Sequence, residues 1–178
     1  IKIKPDYAEA YNNMGATLKD KGDPEAAIEK CEQAIRIKPD YADAYINIGN
    51  VLKDKGDLDA AIDRYKKALK IRPGYAEAYN NMGIALNDKG DSEAAIDSYK
   101  QALKIKPDYA DAYNNMGGAL YQEGDFLGAI GAFQQALKIE PNSAKVWDSL
   151  HFSLQAMKFQ IPAGDGSLSM LSPQADSK

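Results

Sequence analysis

The segment AEAYNNMG at residues 76–83 returns 34 positions later as ADAYNNMG at residues 110–117, the only change being Glu77 to Asp111. Other positions keep the same interval. Pro5, Pro39, Pro73, Pro107 and Pro141 form one series, and Tyr11, Tyr45, Tyr79, Tyr113 and Trp147 another. Gly15, Gly49, Gly83 and Gly117 form a third, Gly22, Gly56, Gly90 and Gly124 a fourth, and Ala34, Ala68, Ala102 and Ala136 a fifth. A fixed interval of this length marks stacked units that bury their apolar faces on neighbours rather than in one central core.

Within each unit the apolar spacing is helical twice over. In the first, Tyr11, Met14, Gly15 and Leu18 fall at i, i+3, i+4 and i+7, and Ala27, Ile28, Cys31, Ala34 and Ile35 repeat the stripe after a break. Two amphipathic helices per unit follow. Asp6, Asp40 and Asp108 stand where they are expected to cap first helices, and Asp23, Asp57, Asp91 and Asp125 where they cap second ones, each after a glycine suited to a helix terminus. The recurring proline stops the second helix, and basic residues before it, such as Lys38 and Arg72, favour the negative end of the helix dipole. A glycine inside a helix costs about 1 kcal/mol relative to alanine. Four such glycines imply close approach to a facing helix, with Ala27, Ala61, Ala95 and Ala129 the expected neighbours.

Composition removes several classes of function. The 178 residues carry 22 Lys plus Arg against 26 Asp plus Glu, a net charge of -4, so there is no basic footprint for nucleic acid. One cysteine, Cys31, and one histidine, His151, leave no disulfide framework or multi-cysteine metal site and little histidine chemistry. No cofactor and no catalysis are expected. Cys31 takes the place of Tyr65, Tyr99 and Phe133 and reads as a small core residue. No apolar run approaches a membrane span, and Ile1 to Pro5 has no signal-peptide hydrophobic region, so a cytoplasmic chain is expected.

The order of an aromatic, a large apolar residue, Gly and an apolar residue, then Ala, an aromatic, Ala and Pro, resembles the tetratricopeptide repeat. The resemblance covers residues 8–143 as four units, 8–41, 42–75, 76–109 and 110–143. Residues 1–7 resemble the end of a preceding, truncated unit, residues 144–159 a capping helix with His151 in the glycine place, and residues 160–178 a non-repeat tail or linker. The implied fold is an all-α, right-handed solenoid of stacked helix-turn-helix units. Its first helices would line a concave groove, and the implied function is peptide binding without chemistry.

On the face of the first helices away from the apolar stripe, stacking aligns Asn13, Asn47, Asn81 and Asn115, with Asn12, Asn50, Asn80 and Asn114 beside them. A primary amide can pair with both the N–H and the C=O of an extended peptide unit, and each bond contributes about 0.5–1.5 kcal/mol net. The arrangement resembles the asparagine ladder in the repeat domain of O-linked N-acetylglucosamine transferase. The plainer alternative is that these amides satisfy neighbouring helix groups or are polar surface. Lys19, Lys53 and Tyr121 complete the candidate peptide-binding residues.

Glu9, Asp20, Asp43, Asp54, Glu77, Asp88 and Asp111 make this face acidic, so an extended basic polypeptide is the expected partner. In related co-chaperones a clamp of Lys, Arg and Asn holds acidic chaperone tails; Glu9, Asp43, Glu77 and Asp111 take the places of its cations, which disfavours such tails. The acids also suit helix N-termini. Two other functions remain open: the substrate-recognition arm of a larger enzyme, a glycosyltransferase or sulfotransferase, and a scaffold that self-associates through exposed repeat ends. The tail is expected to dock on the last helix or in the groove of its own or a neighbouring chain.

Overall fold

The computed structural model describes residues 6–160, with side chains from 7 to 158. The expectations for residues 1–5, and for the docking of the tail beyond Gln160, lie outside the described residues. Among the described residues nine α-helices run in chain order: α1 (Asp6–Asp20), α2 (Pro24–Ile37), α3 (Ala42–Asp54), α4 (Leu58–Ile71), α5 (Ala76–Asp88), α6 (Ser92–Ile105), α7 (Ala110–Gln122), α8 (Phe126–Ile139) and α9 (Ala144–Gln160).

Each helix packs on its chain neighbours, and the odd-numbered helices also touch one another in sequence, α1 on α3, α3 on α5, α5 on α7 and α7 on α9. Among the described residues the even-numbered helices make no such contact with each other. The stack therefore closes on its odd side and splays on its even side. The result is a right-handed solenoid whose inner, concave wall is built from α1, α3, α5, α7 and α9.

The corner inside each unit follows from two residues. Gly22, Gly56, Gly90 and Gly124 have φ of +80°, +82°, +89° and +81°, the left-handed region where a side chain is strained. This lets Gly22 N–H reach Lys19 O at 2.9 Å and Asp23 N–H reach Leu18 O at 3.0 Å, closing the end of α1. The next residue caps the following helix: Asp23, Asp57, Asp91 and Asp125 accept from the N–H of Ala26, Ala60, Ala94 and Gly128 at 3.1, 3.3, 3.2 and 2.8 Å.

The first-helix caps differ from expectation. The residues preceding α3, α5 and α7 are Tyr41, Tyr75 and Tyr109, and none makes a side-chain cap bond. Asp40 is one residue too early, inside a turn closed by Tyr41 N–H to Lys38 O at 3.1 Å; Asp108 likewise precedes Tyr109, and α1 already begins at Asp6. The tyrosines are held otherwise, by cations over their rings. Lys38, Arg72 and Lys106 lie 5.2, 4.4 and 4.7 Å from the ring centres of Tyr41, Tyr75 and Tyr109.

The in-helix glycines are sites of close approach, but mostly not to the alanines. A Cβ at Gly49, Gly83 or Gly117 would stand 2.6, 2.6 or 2.7 Å from the ring of Tyr65, Tyr99 or Phe133. At Gly15 it would meet Cys31 Sγ, and there the backbone carbonyl of Ala27 is 2.9 Å away. The facing residue is thus one helical turn beyond the alanine, and each ring lies over the glycine of the preceding helix. Cys31 is fully buried in this series, and burial pushes its thiol up to about 11.

Candidate functional site

The concave wall carries the asparagines, and the structure pairs them across repeats. Asn47 Nδ2 donates to Asn12 Oδ1 at 2.8 Å, and Asn115 Nδ2 donates to Asn80 Oδ1 at 3.0 Å. Asn12 and Asn80 are 6% and 4% exposed, so they are buried acceptors rather than open contacts. In the second repeat Asn12 and Asn80 have no counterpart, because Ile46 stands there and packs into the core. Asn50, one turn further, takes over: it accepts from Asn81 Nδ2 at 3.1 Å and from the Tyr65 hydroxyl at 2.8 Å. Asn80 Nδ2 also donates to Asn81 Oδ1 at 3.5 Å, so Asn115, Asn80, Asn81 and Asn50 form one chain of amides across three repeats.

One N–H of Asn47, Asn81 and Asn115 is therefore committed within the protein. Each primary amide has a second N–H and spare acceptor capacity. Asn13 is exposed on α1, and its side chain has no partner among the described residues.

The acids divide along the wall. Asp54 lies 3.3 Å from Lys19 Nζ and 2.8 Å from Lys53 Nζ. Burial opposes its ionisation, but the two lysines outweigh this and hold the carboxyl below the usual range. Asp43 lies 3.2 Å from Arg72 and accepts the Tyr75 hydroxyl at 2.6 Å; burial and this bond both push the Tyr75 phenol up. Lys19 and Lys53 are thus partners of protein carboxylates. Glu9, Glu77, Asp88 and Asp111 have no ion pair among the described residues, so three of the four unneutralised acids lie on α5 and α7.

The third ladder step ends at α9. One period after Asn115 stands Ser149, whose Oγ donates to its own helix at Lys145 O, 3.0 Å away. Asn114 Oδ1 is buried without a partner, and so is Asn87 Oδ1. Both residues line a cavity of about 250 Å³ between α5, α7 and α9. Tyr121, 39% exposed, lines an adjoining cavity of about 400 Å³ with Phe152. The 34-residue period places these asparagines on the odd-numbered helices but displays neither their pairing across repeats nor the orphaned end. Counting one period on from Asn115 to Ser149 was the available signal.

Family models described as tetratricopeptide repeat match residues 6–73, 40–108 and 80–144. The chain belongs to the tetratricopeptide repeat family. No curated protein matches it. Among solved structures, the tetratricopeptide solenoid superposes on the crystal structure of MamA with a TM-score of 0.76 at 25% identity, covering 87% of this chain and 85% of that one. It matches YrrB, described as a repeat protein with an unusual peptide-binding site, with a TM-score of 0.69 at 21% identity over 84% of this chain and 77% of that one. The first repeat domain of Spaghetti (RPAP3), bound to the HSP90 peptide SRMEEVD, gives 0.64 at 24% identity over 66% and 93%. These last two likenesses are of fold.

Among the described residues there is no group of three His, Cys, Asp or Glu side chains able to hold a metal ion, and no helix is long and apolar enough to cross a membrane.

Proposed function

We propose that this tetratricopeptide chain is a protein-interaction module that holds an extended polypeptide along its concave wall. The observation that carries this reading is the line of partly used amides on α3, α5 and α7: each keeps hydrogen-bonding capacity at one period's spacing, in register for a backbone that offers an N–H and a C=O at every residue. Peptide-bound and peptide-binding neighbours of the same fold support it.

The charge of the wall selects the partner. With Asp43 and Asp54 internally paired, Glu77, Asp88 and Asp111 concentrate negative charge on α5 and α7, which favours a basic segment there. An acidic peptide such as the one held by the RPAP3 domain fits this wall poorly, because Glu9, Glu77, Asp88 and Asp111 would face it with like charge.

The test is a titration of the whole chain with a Lys-containing peptide, with Asn13, Asn47, Asn81 and Asn115 intact or changed together to Ala. Loss of binding in the variant, with helical circular dichroism retained, supports the reading. Unchanged binding removes the amides from it.

A further inference from the structure

The orphaned end of the ladder is also where the wall is hollow. Asn87 and Asn114 each keep a buried carbonyl oxygen without a donor, and both line the 250 Å³ cavity together with Asp88 and Lys145. Tyr99 lines it as well; it is 2% exposed, and its hydroxyl has no hydrogen-bond partner among the described residues. In the preceding repeat the equivalent Tyr65 donates to Asn50, but the residue in that place beside Tyr99 is Ile84. Native proteins rarely leave two buried carbonyl oxygens unpaired in one place, and what both require here is a donor.

The adjoining 400 Å³ cavity shares Gly118, Gln122, Phe133 and Ser149 with the first and is walled by Tyr121 and Phe152, the latter 62% exposed. Gly118 keeps the two open. A Cβ there would meet nothing within 4 Å, and the equivalent positions carry Asn50 and Ile84.

We infer that this double cavity is a specificity pocket for a Lys or Arg side chain, read at Asn87, Asp88 and Asn114, and a large apolar side chain two residues away, read between Tyr121, Phe133 and Phe152. In an extended chain, side chains two residues apart point the same way at roughly 6.6 Å spacing, which suits two joined hollows. An ammonium or guanidinium brings several donors and no acceptor, so one cation can satisfy both orphaned carbonyl oxygens and face Asp88; a carboxylate can satisfy neither. Lys145 also lines this hollow, and Asp88 sets an opposite charge beside it. The inference rests on the groove reading above and specifies which residues of the bound chain are recognised.

The experiment is fluorescence anisotropy of the whole chain with three labelled peptides on a shared Ser/Ala background, carrying Lys-x-Leu, Glu-x-Leu or Lys-x-Ser. The expected result is that Lys-x-Leu binds at least about tenfold more tightly than either of the others. Gly118→Ile, which fills the space shared by both hollows from a position with free space around it, should abolish both preferences and bring Lys-x-Leu binding down to the level of the other two peptides. As a second variant, Asn114→Ala should lower the preference for Lys over Glu and spare that for Leu over Ser. Equal binding of the three peptides, a preference for Glu-x-Leu, or a preference that survives Gly118→Ile would overturn the pocket while leaving the groove in place. Failure of every peptide to bind would overturn the groove reading and the pocket with it.

Discussion

Gly117 and Gly118 are neighbours on α7, yet a Cβ at the first would stand 2.7 Å from the Phe133 ring and one at the second would meet nothing within 4 Å. Gly117→Ala should therefore destabilise by about 1–3 kcal/mol through overpacking, whereas Gly118→Ala should stabilise by up to about 1 kcal/mol from helix propensity alone. Thermal melts of the two variants check the pair; equal shifts would contradict the assignment of one to packing and the other to the hollow. The period alone exposed the close approach at Gly15, Gly49, Gly83 and Gly117. It did not reveal that rings face most of these glycines, because a helical stripe shows which side a residue lies on and not which turn of the opposite helix meets it. Cys31 gives a second test at this scale. With its thiol pushed up to about 11 by burial, it stays protonated at pH 8 and should resist a thiol reagent in the folded chain, then react on unfolding. Rapid labelling of the native chain would contradict its place in the core.

At the scale of the element, capping separates two aspartates that look alike in the sequence. Asp57 accepts from Ala60 N–H at the start of α4, while Asp40 sits in the turn before Tyr41 and caps nothing. Asp57→Ala should destabilise by about 0.5–2 kcal/mol, and Asp40→Ala by much less, as read by urea denaturation. The second-helix caps were legible because a glycine fixes the register immediately before them. The first-helix start was not, because Pro-Asp-Tyr spends one more residue on its turn than a simple cap allows. The ladder shows the same limit. Its bonds join residues 35 positions apart at Asn12 and Asn47 and 31 apart at Asn50 and Asn81, offsets that a strict 34-residue alignment does not display. Asn80→Ala removes the acceptor of Asn115 and should destabilise by about 1–3 kcal/mol, whereas Asn114→Ala removes a buried carbonyl that has no partner and should be near neutral. Equal losses in denaturant midpoint would mean that the orphaned carbonyl is satisfied after all.

Along the stack of described residues, the apolar side chains form a row of small clusters between neighbouring helices, so stability accumulates by neighbour contacts and no single core dominates among them. The same stacking gives the concave wall a polarity that charge counting missed. Toward α1 and α3 its acids, Glu9 apart, are paired with Lys19, Lys53 and Arg72, and toward α5 and α7 they have no ion pair among the described residues while the wall opens into the Gly118 hollow. All-α stacking was legible from the period, and the identity of the inner helices from the resemblance to tetratricopeptide repeats; this gradient depends on departures from the period, at Ile46, Asn87, Gly118, Tyr121 and Ser149, whose meaning appears only when the repeats are superimposed in space. The central claim is that the odd-numbered helices hold an extended chain. The most direct measurement is photo-crosslinking of the whole chain to a benzophenone-bearing Lys-x-Leu peptide, with the attachment sites mapped by mass spectrometry. Attachment confined to α3, α5, α7 and α9, and competed by unlabelled peptide, is the predicted result; competed attachment to α2, α4, α6 and α8 would place the binding surface on the convex side and contradict it.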